Sequence, residues 1–416
     1  MSDYSGNVQI RYLPPNTPRT EPMIEVTDWV DFNFNIQTGA PNYITPPYPS
    51  SATVSLMFDE DVIPDLEIGS WVQICAVNPN DSNDYNAIMS GNVTNRTSAY
   101  RSYGIAGYVL EWQFEITSYI SVLQNADYYN NDDGIGSNPM YFIVYPSLRW
   151  EQISDNLTWA AYGPATWDEV DLERDANLPE YVFLLDDAFV SYLYPLGAQN
   201  VWDAYVTSVY GIYGFITEGN DGTLYFRYSD VGYTNSLTLT QDMIKPDLLG
   251  GERIDEQRNS ITLDPYSGTA QSYYDNFSIE KYGERSGTLP TYLSDPAEMK
   301  VVGDRIIDGM SYPILSTSAV SVDLINPAFT NAERLELLID PLGKRITVQA
   351  PLAMGGTQDY LIMGVDWDIN RNTFSANLKL APYSQVFNSL NWLQVPYNYT
   401  WTSYGVAFPT QEWQDL

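Results

Sequence analysis

The chain has 416 residues, more than one hydrophobic core commonly serves, and an apolar share of 44% that argues for packed domains over a disordered polymer. Asp and Glu outnumber Lys and Arg by 53 to 19, giving a formal charge of −34 that counts against tight binding of nucleic-acid phosphates or of an anionic membrane. There is no histidine and a single cysteine, which removes His-based acid–base and triad chemistry, His- or Cys-ligated zinc, and an intramolecular disulfide framework.

Residues 1–23 are polar and proline-bearing and lack the apolar core of a secretory signal; they are expected to form an N-terminal arm that orders against a partner. Residues 24–146 form a first β block. Phe34 and Ile36 mark a strand, Pro41 to Pro49 a loop, and Val54, Leu56 and Phe58 alternate with Thr53, Ser55 and Met57. Gly69-Ser70 turns into Trp71–Ile74, Ala87–Val93 follows, and Cys75 sits in an apolar run where it reads as a buried small hydrophobe. Leu110, Trp112, Phe114 and Ile116 give the cleanest strand, and Tyr119 to Ala126 one or two helical turns. Asp132-Asp133-Gly134 reads as a turn.

Residues 147–258 hold a mixed α/β block. Trp167–Leu172, Tyr181–Leu193 and Asn200–Ile212 carry helix-like spacing. Phe215–Thr217 and Leu224–Phe226 flank Gly219-Asn220-Asp221-Gly222, a hairpin whose acidic residues are turn chemistry rather than a calcium loop. Asp186 and Asp187 interrupt the longest apolar run, so no membrane span is expected.

Residues 259–388 return to strands, with Ile261/Leu263, Phe277/Ile279, Leu335–Ile339, Ile346–Val348, Leu361–Met363, Val365–Ile369 and Phe374–Leu380 as candidates. Within them Asp295 caps a helix from Pro296 to Met310, whose stripe is Met299, Val302, Ile306 and Met310.

Two stretches of the chain repeat. Ser147 to Ala165 and Ser389 to Ala407 align without a gap, matching at Trp150/Trp392, Asn156/Asn398, Trp159/Trp401, Tyr162/Tyr404 and Gly163/Gly405 among others. Upstream of each copy the landmarks recur in order. Gly69-Ser70-Trp71-Val72-Gln73-Ile74 answers to Gly343-Lys344-Arg345-Ile346-Thr347-Val348, Ile88-Met89-Ser90-Gly91 to Ile362-Met363-Gly364, and Trp112-Phe114-Ile116 to Ala376-Leu378-Leu380. The expected fold is therefore mainly β with an α+β insert: two related β-barrel-like domains separated by a smaller mixed domain, with a Trp-rich trailer after each, the second being residues 389–416.

This arrangement resembles the baseplate hub, or tail-associated minor tail protein, of long-tailed bacteriophages, a plan shared with contractile-phage hubs and with the N-terminal part of type VI secretion spikes. The resemblance rests on the two strand-rich blocks with Gly69/Gly343 and Gly91/Gly364, the insert with its Asn220-Asp221-Gly222 hairpin, and the helix from Pro296. It implies a structural virion protein at the distal end of the tail, made in the host cytoplasm. Three subunits would form a pseudo-sixfold ring joining a sixfold tube to a threefold tip. The implied neighbours are the distal tail protein, tail tube, tape measure protein and tip or fibre proteins, with DNA passing through an acidic lumen without tight binding. No cofactor is implied. Trp150, Trp159, Tyr162, Trp392, Trp401 and Tyr404 are then interface candidates, since Trp and Tyr are enriched at the buried centres of interfaces.

Two other classes of function compete. A glycan hydrolase would need a carboxylate pair, from Asp59, Glu60 and Asp61 or from Asp186 and Asp187, beside Trp159 or Trp167. A sugar-binding module would stack ligands on Trp159/Tyr162 and Trp401/Tyr404. Adjacent acids more often form solvated turns, and a segment kept after each β block is more simply an interface piece.

Overall fold

The computed structural model describes residues 7–15, 17–27, 33–58, 66–102, 108–125, 127–128, 143–144, 181–184, 191–192, 199–227, 235–246, 249–252, 257–265, 268–293, 295–351, 356–370 and 373–387. Its strands begin with β1 (Val8–Leu13), β2 (Ile24–Glu25), β3 (Asn33–Gly39), β4 (Ser51–Phe58), β5 (Trp71–Asn78), β6 (Asp81–Ser102) and β7 (Tyr108–Thr117). The middle of the chain holds α1 (Ile120–Asn125), β8 (Asp127–Tyr128), β9 (Ile143–Val144), β10 (Tyr181–Leu184), β11 (Ser191–Tyr192), β12 (Gln199–Asn200), α2 (Val201–Tyr210), β13 (Phe215–Glu218) and β14 (Leu224–Arg227). Then come β15 (Asn235–Leu239), β16 (Leu249–Glu252), β17 (Ser260–Pro265), β18 (Gln271–Tyr274), α3 (Asn276–Tyr282), β19 (Ser286–Thr291) and α4 (Pro296–Met310). The last elements are β20 (Leu315–Asp323), α5 (Asn331–Leu338), β21 (Arg345–Gln349), β22 (Thr357–Asn370), β23 (Thr373–Pro382) and α6 (Tyr383–Phe387). The fold is mainly β.

Two five-strand modules, β3-β4-β7-β6-β5 and β16-β20-β23-β22-β21, share one thirteen-stranded sheet and repeat each other in strand order, with matching register at several positions. Val54 on β4 faces Phe114 on β7; Val320 on β20 faces Leu378 on β23. Val72 on β5 faces Gly91 on β6; Ile346 on β21 faces Tyr360 on β22. The ladder of β6 with β7 slips between Val93 and Asn95, and that of β22 with β23 between Ile362 and Gly364. Such a bulge is an inserted residue that bends its strand, and finding it at the same register in both modules points to one backbone used twice.

The turn into the module is also duplicated. The Gly69 N–H donates to Val93 O at 2.8 Å while the Val93 N–H donates to Ser70 O at 2.9 Å; Gly343 donates to Ile362 O at 2.7 Å and Ile362 to Lys344 O at 3.0 Å. Both glycines have positive φ, +92° and +77°, which residues with a Cβ adopt only under strain. The sequence pairings of Gly69 with Gly343 and of Phe114 with Leu378 hold. The pairing of Gly91 with Gly364 does not: by register Gly91 matches Tyr360, and Gly364 matches Asn95. The two glycines answer different close approaches. A Cβ on Gly91 would lie 2.4 Å from Thr117 O, and one on Gly364 would lie 2.6 Å from Ala40 O.

Strand β3 joins the modules. One edge pairs with β4 of its own module through Ile36↔Ala52 and Gln37↔Ser51, and the other with the second half of β22, from Asn33↔Asn370 to Gly39↔Gly364. The inward faces of both modules merge into one core containing Ile36, Val54, Phe114, Val320, Trp367 and Leu378. A second core lies behind β22 and takes its Leu361 and Met363, together with Tyr205 of α2, Phe215 and Phe226 of the β13–β14 hairpin, Leu263 of β17, and Val302 and Ile306 of α4. β22 is thus buried on both faces, which explains why Tyr360 to Val365 is a continuous apolar run rather than an alternating one.

Expectations for α1, α2 and α4 hold; Asp295 caps α4 by accepting from Ala297 N, with Pro296 in its first turn. Four others are corrected. Residues 8–13 are not an arm awaiting a partner, because β1 pairs with β5 along its whole length, from Val8↔Ala76 to Leu13↔Trp71. Where helix-like spacing suggested one helix over Tyr181–Leu193, the described parts are β10, parallel to β14, and β11, antiparallel to β9. Phe277 and Ile279 lie on helix α3, which Asp275 caps by accepting from Phe277 N and Ser278 N. Leu335 and Leu337 lie on helix α5, opened by a reciprocal box between Thr330 and Glu333. In both helices the capping acid or Thr-x-x-Glu signal outweighs a short apolar alternation. Among the described residues no helix is long and apolar enough to cross a membrane.

Candidate functional site: a three-way junction

The β13–β14 hairpin places its tip between the two modules. Its strands run antiparallel from Phe215↔Arg227 to Glu218↔Leu224. Gly222 supplies a positive φ of +91°, and Asp221 Oδ1 accepts from Thr223 N at 2.9 Å, so Asn-Asp-Gly closes the turn as the sequence implied.

Asn220 makes the connection. Its side-chain amide donates to Ala87 O of β6 at 2.9 Å and to Leu338 O at the end of α5 at 2.6 Å, one contact to each module. Its backbone N–H donates to Asp340 Oδ1 at 2.7 Å, and its carbonyl accepts from the Ser90 hydroxyl at 2.7 Å. Asp340 itself is held at φ +41°, a strained setting that these contacts hold in place.

Polar contacts continue down the hairpin. Glu218 is buried, and its Oε2 accepts from the Ser50 hydroxyl at 2.7 Å. Burial pushes its carboxyl up to about 7, against the opposing pull of hydrogen bonds from Ser50 and Ser118. Arg227 Nε donates to Thr217 Oγ1 at 3.0 Å, and its guanidinium lies where a Cβ on Gly343 would come within 2.8 Å of Nε. At the far end the Tyr43 hydroxyl donates to Tyr213 O at 2.7 Å and the Tyr213 hydroxyl to Gln385 O at 2.9 Å, so the loop after α2 ties to both β3's exit and α6.

The Glu218 carboxyl is enclosed and accepts from a hydroxyl, with the Asp221 charge as a further, smaller influence. Among the described residues Asp308 on α4 is also raised to about 7, by burial first and then by the nearby Asp304 and Asp275. Cys75 is buried and its thiol is pushed up to about 11, as its apolar surroundings implied. Among the described residues no group of three His, Cys, Asp or Glu side chains could hold a metal ion.

The interface candidates Trp150, Trp159, Tyr162, Trp392, Trp401 and Tyr404 lie outside the described residues, as do Asp59, Glu60, Asp61, Asp132, Asp133, Trp167, Asp186 and Asp187. Among the described residues Trp71, Trp112, Trp202 and Trp367 are buried in the cores rather than displayed as sugar platforms. Sequence reasoning missed the junction. Its one signal was Glu218, an acid ending an apolar strand next to a turn, and nothing local says that Ser50 lies across from it.

No family model matches this sequence, and no curated protein matches it. The fold, however, is that of phage tail proteins. The 43 kDa tail protein of prophage MuSo2 from Shewanella oneidensis superposes with a TM-score of 0.55 at 11% identity, over 91% of this chain and 99% of that one. The tail protein from Neisseria meningitidis MC58 gives a TM-score of 0.56 at 12% identity, over 90% and 96%. At such identities the likeness is one of fold.

Proposed function

We propose that the chain is a structural protein of a phage tail, and within it the trimeric hub that joins the sixfold tail tube to a threefold tip. The observation that carries this reading is the internal repeat: one chain holds two copies of a five-strand module, matched through turn, bulge and register. Three such chains present six like modules, which reconciles sixfold and threefold neighbours without six identical subunits. The fold likeness to tail proteins supports the same setting. A net charge of −34 suits a wall past which DNA slides, since phosphates find few cations to displace there. The neighbours in this reading are the distal tail protein, tube, tape measure and tip or fibre proteins, at the distal end of the tail.

Native mass spectrometry of the purified chain, with electron microscopy of the same sample, tests it. Three subunits in a ring of six modules is the expected result. A chain that stays monomeric at every concentration, alone and with tail-tube protein, overturns the hub.

A further inference from the structure

Among the described residues, the junction of modules inside the chain leaves one matching strand edge without a strand partner toward each end of the sheet. In the second module, β22 is covered on the side away from β23 by β21 along Thr357–Leu361 and by β3 along Gly364–Asn370. In the first module, β6 is the counterpart of β22. β5 covers its first part, Asp81 to Asn92, but among the described residues Asn95–Ser102 pairs with β7 alone. The difference shows in burial. Asn95, Arg96, Thr97 and Ser98 are all exposed, whereas their counterparts Gly364, Val365 and Trp367 are buried, with Asp366 half-buried.

The missing strand is also present, at the other end. β16 is the counterpart of β3: Gly250 faces Thr317 of β20 as Gln37 faces Ser51 of β4. β3 uses its outer edge to bind β22 of the other module. β16 ends the sheet, and among the described residues its outer edge has no strand. An unpaired edge is a template for another chain.

We propose that β16 of one copy of this chain pairs antiparallel with Asn95–Ser98 of β6 in a second copy, repeating between chains the seam that β3 and β22 form within one. The internal seam sets the register. Gly364↔Gly39, Val365↔Thr38 and Asp366↔Gln37 become Asn95↔Glu252, Arg96↔Gly251 and Thr97↔Gly250. The contact is head-to-tail, so it closes into a ring or continues as a filament according to the rotation between copies. That it closes at three chains rests on the hub reading above; the seam itself rests on the register.

Cysteine cross-linking tests it. The pairs are Arg96→Cys with Gly251→Cys and Thr97→Cys with Gly250→Cys, since residues directly opposite in such a ladder lie close enough for a disulfide. A Cβ at Gly251 meets nothing within 4 Å, so the Arg96/Gly251 pair introduces no clash there, and Cys75 is buried, so the native thiol does not confuse the result. Mild oxidation of each double variant is expected to give covalent trimers on a non-reducing gel, with none from the four single variants. A ladder running past three chains supports the seam and overturns the trimeric hub. A wild-type trimer by native mass whose double variants never cross-link overturns the seam and leaves the hub standing. A monomer in every condition overturns both.

Discussion

The Ser50 hydroxyl donates to Glu218 Oε2 at 2.7 Å inside the junction, tying the start of β4 to the end of β13. Burial raises the Glu218 carboxyl from an ordinary 4.5 to about 7, so folding favours its protonated form. The linked stability is fully present below pH 4.5 and is lost as pH rises to about 7, because the unfolded chain sheds this proton first. Glu218→Gln should therefore match wild type near pH 4 and become more stable than wild type above pH 7, by up to about 3 kcal/mol. Urea midpoints of both proteins across that range measure the difference. Asp308 titrates in the same sense but is common to both proteins. A constant offset at all pH values would mean that folding does not shift the Glu218 carboxyl.

The Asn220 side chain donates to both modules, at Ala87 O and Leu338 O. Asn220→Ala leaves two carbonyls without that donor and should cost about 2 kcal/mol in chemical denaturation. Asn220→Asp should cost more, since it removes both donors and sets a second carboxylate beside Asp340, which accepts from the backbone at 2.7 Å. Stability of both variants equal to wild type would show that the amide contacts carry little weight.

Gly39 ends β3 at φ +77°, and a Cβ there would lie 2.3 Å from Met363 O and 2.8 Å from the Cα of Gly364. Both atoms are backbone, so relief requires parting the seam between modules. Gly39→Ala should cost on the order of 3–4 kcal/mol, while Gly251→Ala, in open space, should stay within about 0.5 kcal/mol of wild type. Thermal unfolding of the pair makes the comparison internal.

How much of this was legible in the sequence depends on how local the signal is. Helix α4 was, because Asp295, Pro296 and the stripe from Met299 to Met310 are all in one stretch. The correspondence of Trp112-Phe114-Ile116 with Ala376-Leu378-Leu380 was legible too, because each is an alternating strand with one buried face. The middle landmark failed because glycine served as the marker, whereas the conserved backbone event is a bulge at Thr94 and Met363, two residues of unlike chemistry. Leu335–Ile339 misled for a related reason: alternation over five residues fits a strand or one helical turn, and the Thr330–Glu333 box that decides it lies outside the apolar run. The junction was illegible, since Asn220 meets Ala87 and Leu338 across more than a hundred residues each way.

Gly69 and Gly343 allow the repeat itself to be tested, because they share a backbone role and differ in surroundings. Each enters its module at positive φ and donates to the next-but-one strand of the duplicated turn, at Val93 O and Ile362 O. The conformational cost of a Cβ is therefore common to both, about 1–2 kcal/mol. At Gly69 the nearest atoms are side-chain carbons of Pro15 at 3.8 Å, ordinary contact that adds nothing. At Gly343 the new methyl would meet the Arg227 guanidinium at 2.8 Å and push Nε off Thr217, adding a cost of about 1–3 kcal/mol. Gly343→Ala should thus be the less stable of the two, and combining it with Arg227→Ala should bring its penalty down to that of Gly69→Ala. A double-mutant cycle by urea denaturation measures this coupling; zero coupling would show that the two glycines are limited by backbone alone.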